Sequence, residues 1–90
     1  MIIKRTCKKY DETLIMTLED VKTSLNIFIK DNIRVNDIIT KLNNFEQYED
    51  YLHIYEPLNL EQMKAEELKE LQRQILKQSG FNDTDIKNLL

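Results

Sequence analysis

The chain opens on an alternation of period two. In IIKRTCK, Ile3, Arg5 and Cys7 fall on one side of an extended segment, and Ile2, Lys4 and Thr6 fall on the other. Polar KKYDE follows, then apolar TLIM over residues 13–16, which together predict a short N-terminal β-hairpin whose turn carries no Asn-Gly or Gly-Gly pair. The period then lengthens to that of a helix. Leu18, Val21, Leu25 and Phe28 share one face and predict a helix over 18–30. Thr17 stands where a capping hydroxyl is wanted, Asp20 where a carboxylate favours the positive helix end, and Asp31-Asn32 closes the run.

A second stripe starts at Val35 and continues through Ile38, Leu42, Phe45, Tyr48, Leu52 and Tyr55, with Ile39 beside it. It predicts a helix through residues 45–56, interrupted near Asn43-Asn44 and stopped by Pro57. The alternative is a short strand in YLHIY, with Leu52 and Ile54 alternating against His53 and Tyr55. Glu46, Gln47, Glu49 and Asp50 are better helix than strand material and favour the first choice.

The last third of the chain is the most regular. Asn59 can cap a helix, Gln62 can bond back to it, and Leu58 can pack on Met63. Leu68, Leu71, Ile75 and Leu76 form its inward side, and Gly80 stands where a left-handed cap is wanted, with Phe81 reaching back to Leu76. Asn82 and Asp85 open a final short helix carrying Ile86, Leu89 and Leu90. The apolar seam would place Gln78, Lys64 and Glu61 at its next core positions, so it is too short for a coiled coil. The expected fold class is α+β and predominantly helical: a short N-terminal β-hairpin followed by three to four packed helices, in a single small globular domain spanning 1–90.

Composition narrows the class further. A chain of 90 residues supports one small core. At 41% hydrophobic and 32% charged it has the make-up of a soluble globular protein. No apolar run approaches the roughly 20 residues of a membrane helix, and Lys4 and Arg5 interrupt the place where a signal peptide needs apolar residues. The single cysteine allows no internal disulfide, and a cytoplasmic location is expected. Abundant Ile, Asn and Lys beside scarce Gly, Ala, Pro and Arg imply an AT-rich genome, such as that of a low-GC bacterium or one of its phages or plasmids.

Charge is unevenly spread. Lys4, Arg5, Lys8 and Lys9 make the N-terminus basic, residues 10–56 are acid-rich, and the remainder is nearly neutral, for a net charge of −3. An acidic body of this kind disfavours non-specific contact with phosphate backbones.

Catalytic groupings are not evident. Cys7 is the one thiol and His53 the one imidazole, and no spacing suggests that they meet. One Cys and one His make no zinc cluster, and no calcium loop is present. The one glycine serves as a helix cap, which leaves none for a phosphate-cradling loop. The chain is therefore expected to be non-enzymatic, with no cofactor and no metal.

Binding remains. FEQYEDYLHIYEP concentrates tyrosines and acids, and its candidate partner-binding residues are Glu46, Glu49, Asp50, Tyr51 and His53. Aromatic groups supply interface anchors and carboxylates steer basic partners. The expected function is protein–protein interaction as an inhibitor, adaptor or regulator acting on a host or phage protein, with a homodimer compatible. A phage structural or assembly role is a further alternative. The other reading is a DNA-binding regulator, with LEDVKTSLNI and VNDIITKL as a helix-turn-helix pair. The segment from Tyr51 onward also resembles the winged portion and following helices of MerR-type regulators, through Tyr51 and Tyr55 before a helix and a Gly80-Phe81 turn into a helix with Ile86. That resemblance covers less than half of the chain, and capping chemistry alone explains each piece, so membership of the family does not follow. Arg34 and Lys41 also give a recognition helix thin phosphate support.

Overall fold

A computed structural model describes residues 1–89. Leu90, assigned above to the last helix, lies outside the described residues. Two units divide the chain, Met1–Leu58 and Asn59–Leu90.

The first unit runs β1 (Ile2–Cys7), β2 (Glu12–Thr17), α1 (Leu18–Phe28), α2 (Asn32–Asn43), β3 (Tyr48–Glu49) and β4 (His53–Leu58). Its strands form one antiparallel sheet in the order β2-β1-β4-β3. The α+β class and the N-terminal hairpin are both present. The sheet is larger than expected, because β4 and β3 extend it beyond the hairpin.

Local chemistry explains the first elements. Register pairs Ile3 with Met16 and Arg5 with Leu14. The KKYD turn places Asp11 at φ 53, a left-handed conformation that aspartate tolerates better than most residues. At the start of α1, the Asp20 amide donates to Thr17 Oγ1 at 3.1 Å and the Thr17 amide donates to Asp20 Oδ2 at 3.3 Å, which completes a capping box. Asp31 does more than close that helix. Its Oδ1 accepts from the amides of Ile33 at 3.0 Å and Arg34 at 3.4 Å, and so starts α2.

The inward faces of α1 (Val21, Leu25) and α2 (Val35, Ile38, Leu42) meet Ile3, Met16 and Tyr55 of the sheet in one apolar core. Two positions read as inward are exposed instead. Phe28 is 80% exposed and Phe45 is 53% exposed. Half-buried Ile29 packs against the core just beyond the end of α1.

The helix expected over 45–56 is absent, and the strand alternative holds. The Phe45 amide donates to Leu42 O and the Glu46 amide to Lys41 O, each at 3.0 Å, which is the paired closure of a Schellman helix end. Phe45 holds φ 60 at the position that glycine usually fills. Beyond it, β4 is recruited by β1 across a long stretch of sequence, with Lys4 opposite Glu56 and Thr6 opposite Ile54. This ladder, with Tyr55 buried in the core, overrides the local helix preference of the acidic residues before it.

Pro57, expected to end a helix, lies inside β4 instead. The Lys8 amide donates to Leu52 O at 2.8 Å, so alternation along the ladder makes Pro57 opposite Ile3 a non-hydrogen-bonded position. Its missing donor faces the β3 side, where β3 pairs only with Ile54 and Tyr55.

The second unit contains a 3-10 turn (Leu60–Gln62), α3 (Ala65–Gln78) and α4 (Asp83–Leu89), with α3 packed against α4. Asn59 caps the 3-10 turn by accepting from the Glu61 amide at 3.2 Å, while α3 begins at Lys64 without a side-chain cap. Asn82 accepts from the Asp85 amide at 2.8 Å and so opens α4 as expected. Gly80, at φ 100, closes α3: its amide donates to Lys77 O and the Phe81 amide donates to Leu76 O, both at 3.1 Å. A Cβ at Gly80 would meet nothing within 4 Å, so the cost of a side chain there is purely conformational. Gly80→Ala is expected to lower the unfolding free energy by about 1 kcal/mol, read from urea titration. An unchanged midpoint would show that this helix end is not held in the native state.

Candidate functional site

The β3–β4 hairpin is built by Asp50. Its amide donates to His53 O at 2.9 Å, while its Oδ1 accepts from the amides of Leu52 at 2.8 Å and His53 at 2.6 Å. One carboxylate oxygen thus replaces the glycine-dependent turn chemistry that a tight hairpin ordinarily uses. It holds Tyr51 at the tip, 92% exposed.

Below that tip lies a cleft of about 270 Å³. α1 contributes Ser24, Leu25 and Phe28, the following turn Ile29, and α2 Arg34. The hairpin contributes Asp50, Tyr51 and His53 together with Tyr48 and Tyr55. The Tyr48 and Tyr55 rings lie 5.8 Å apart at a tilt of 36°, and His53 meets Tyr55 edge-on at the same separation. Cross-strand pairing of Tyr48 with Tyr55 produces this aromatic wall.

Arg5 stands opposite Tyr55 in the register and donates from Nη1 to Ser24 Oγ at 3.5 Å. It is half-buried and has no carboxylate ion pair among the described residues. Partial burial holds the His53 imidazole below its ordinary value of 6.5, helped by the positive charge of Arg5 and opposed by Asp50. Burial pushes the Tyr55 phenol up, with Arg5 pulling the other way.

His53 therefore makes stability depend on pH. As pH falls through 6.5, the unfolded chain takes up the imidazole proton before the folded chain does. The folded state loses stability through that window, and the loss is complete once pH is below the folded-state value. Above about pH 7 neither state carries the proton and the contribution vanishes. Relative to His53→Gln, the native chain is expected to lose stability as pH falls through 6.5 towards the lower folded-state value, with the two curves parallel above about pH 7. Parallel curves throughout would show that His53 is freely solvated.

Of the five residues singled out from sequence, the structure brings Asp50, Tyr51 and His53 together on the cleft. Glu49 alternates with Tyr48 and so leaves by the other face of the sheet, where Lys8 Nζ reaches its Oε2 at 3.2 Å. Glu46 lines a neighbouring groove beside α2 together with Asp37 and Lys41, and Arg34 and Tyr48 line both hollows. Phe28 and Arg34 were missed as members of the cleft. Their only advance sign was position, at the end of one helix and the first turn of the next.

Cys7 and His53, which no spacing suggested would meet, stand opposite each other in the β1–β4 register. No hydrogen bond joins their side chains among the described residues, so the thiol has no positioned base. Among the same residues no group of three or more His, Cys, Asp or Glu is placed to hold a metal ion, and no helix is long and apolar enough to cross a membrane.

A third groove, on the second unit, is lined by Lys69, Arg73, Lys77 and Lys87 with Glu70 and Asp83. Both acids are used internally, in the pairs Arg73–Glu70 at 4.0 Å and Lys77–Asp83 at 3.5 Å. Comparison with protein-family models, with curated proteins and with solved structures finds no match.

Proposed function

We propose that this chain is a non-enzymatic binding protein that docks a protein partner at the cleft between the α1–α2 turn and the β3–β4 hairpin. The observation that carries this reading is that two large, exposed aromatic side chains, Phe28 and Tyr51, both line that cleft. Neighbouring Ile27 is also 71% exposed, which adds apolar surface that water covers at a cost until a partner replaces it. Exposed aromatics beside a preformed hollow are the composition of an interface centre. The role of inhibitor, adaptor or regulator, and an origin in a phage or plasmid of a low-GC bacterium, rest on composition and belong to the same proposal.

The test is an affinity pull-down of the full chain from a low-GC bacterial lysate, with and without nuclease, against the Phe28→Ala/Tyr51→Ala variant. A protein retained in stoichiometric amount by the native chain, surviving nuclease and lost on the variant, is the expected result. Nuclease-sensitive retention of DNA, lost steeply with salt, would overturn the reading and favour a DNA-binding regulator. The basic groove of Lys69, Arg73, Lys77 and Lys87 would then be the first place to substitute.

A further inference from the structure

Charge in the second unit is sorted by position. Asn59–Leu90 holds five basic side chains and six acidic ones. Four of the bases, Lys69, Arg73, Lys77 and Lys87, line the groove shared by α3 and α4, against two of the acids, Glu70 and Asp83. Those two acids are taken up by exposed internal pairs, Glu70 with Arg73 and Asp83 with Lys77. Lys69 and Lys87 are exposed and have no ion pair among the described residues. An excess of cations is thus gathered in one groove of a chain whose net charge is −3. The hollow measures about 590 Å³, and its one apolar lining residue, Ile86, is itself buried. Recognition there rests on charge, unlike the mostly apolar lining of small-molecule pockets.

We infer that this groove binds an extended acidic peptide segment, one that carries Asp or Glu at every second position. Lys69, Arg73 and Lys77 follow one another at four-residue steps along α3, about 6 Å apart along the helix axis. Every second side chain of an extended strand points the same way, about 6.6 Å beyond the last. Carboxylates on one side of such a segment therefore keep pace with the cations of α3, and α4 adds Lys87. Arg73 supplies a planar fork that matches a carboxylate. Its pair with Glu70, at 4.0 Å, and that of Lys77 with Asp83, at 3.5 Å, are exposed and exchange readily for a peptide carboxylate. Two features favour peptide over nucleic acid. No aromatic side chain lines the groove to stack an unpaired base. A duplex carries one charge per about 1.7 Å, and Glu70 and Asp83 would meet so dense an array as like charges, whereas alternating carboxylates are separated by uncharged residues. No residue of the first unit lines this groove, so it and the docking cleft are tested separately.

The experiment is fluorescence anisotropy of a labelled peptide of alternating Glu and Ser, titrated with the full chain at low and at physiological salt. An isomer with its acids in one block and a single-stranded oligonucleotide of equal charge are titrated in parallel. Expected is saturable binding of the alternating peptide, weakened by salt and severalfold weaker for the block isomer. Its affinity should fall about tenfold or more on Lys69→Glu/Lys87→Glu. It should stay within about twofold of native on Lys22→Glu/Lys30→Glu, which makes the same change of net charge at exposed positions of the first unit, and on Phe28→Ala/Tyr51→Ala. No saturable binding, equal affinity for the two isomers, or equal losses on the two lysine variants would overturn the inference. So would an oligonucleotide that binds more tightly than the peptide and is lost on Lys69→Glu/Lys87→Glu, which would assign the groove to phosphates. Loss on Phe28→Ala/Tyr51→Ala alone would place the peptide in the docking cleft, overturning this site while leaving that one standing. Lys69 and Lys87 are exposed, so their variant is expected to keep the native circular dichroism spectrum; Lys69→Gln/Lys87→Gln, with a smaller loss, serves if charge reversal alters it.

Discussion

Leu42→Ala is expected to cost about 3 kcal/mol of stability, the largest effect of any single truncation considered for this chain. Leu42 is fully buried on the inner face of α2, in one core with Ile3, Val21 and Val35, which are each no more than 1% exposed. Removing its branched end takes away the transfer energy of the lost carbons and leaves a hole in the core into which the surrounding side chains relax only partly. A domain of this size has on the order of 5 kcal/mol to lose. The variant should therefore be partly unfolded at physiological temperature, and its urea midpoint should fall by half or more. Ile27→Ala is the matching control. It removes a similar side chain that is 71% exposed on α1 and should stay within about 0.5 kcal/mol of the native chain. A Leu42→Ala cost below about 1 kcal/mol would mean that α2 does not pack on the sheet as described.

The contrast between those two residues also shows how much of the fold local sequence can carry. Where a device is completed within a few residues, it was legible. The capping box of Thr17 and Asp20 and the helix end at Gly80 are both of this kind. The end of α2 uses the same backbone geometry as the end of α3, with paired amides closing on the last turn. There the left-handed position is held by Phe45, and no sequence rule marks a phenylalanine as a helix stop. The β3–β4 turn hides in the same way, because Asp50 supplies by side chain what Gly or Asn usually supplies by backbone freedom.

The aromatic stripe was misread for a different reason. Phe45, Tyr48, Leu52 and Tyr55 have helical spacing, yet Tyr48 and Tyr55 come face to face across a hairpin, at a separation that fits either geometry. Only the pairing of β4 with β1 distinguishes the two, and that contact joins the beginning of the chain to its sixth decade. The candidate site inherits this limit. Asp50, Tyr51 and His53 are neighbours in sequence and were found together. Phe28 and Arg34 reach the same cleft from another part of the fold, and helical periodicity had placed Phe28 indoors.

Loss of Phe28 and Tyr51 together is expected to weaken partner binding about a hundredfold or more while leaving the fold intact. Interface aromatics at the centre of a docking site commonly contribute about 2 kcal/mol or more each when truncated, and about 1.4 kcal/mol corresponds to a factor of ten. Both rings are exposed in the free chain, at 80% and 92%, so their removal opens no cavity and the unfolding midpoint should stay close to native. The remaining candidates then sort by position. Glu49→Gln disturbs only an exposed contact with Lys8 on the other sheet face and is expected to change affinity less than about twofold. Asp50→Ala is different in kind, since it removes the acceptor that shapes the hairpin and presents Tyr51. It should reduce binding and stability together, whereas the double aromatic variant reduces binding alone. Isothermal titration of the captured partner beside urea unfolding of each variant separates these outcomes. Equal affinity for the native and double-aromatic chains would place the partner elsewhere on the molecule, because no compensating contact in the free structure replaces those two rings at the cleft.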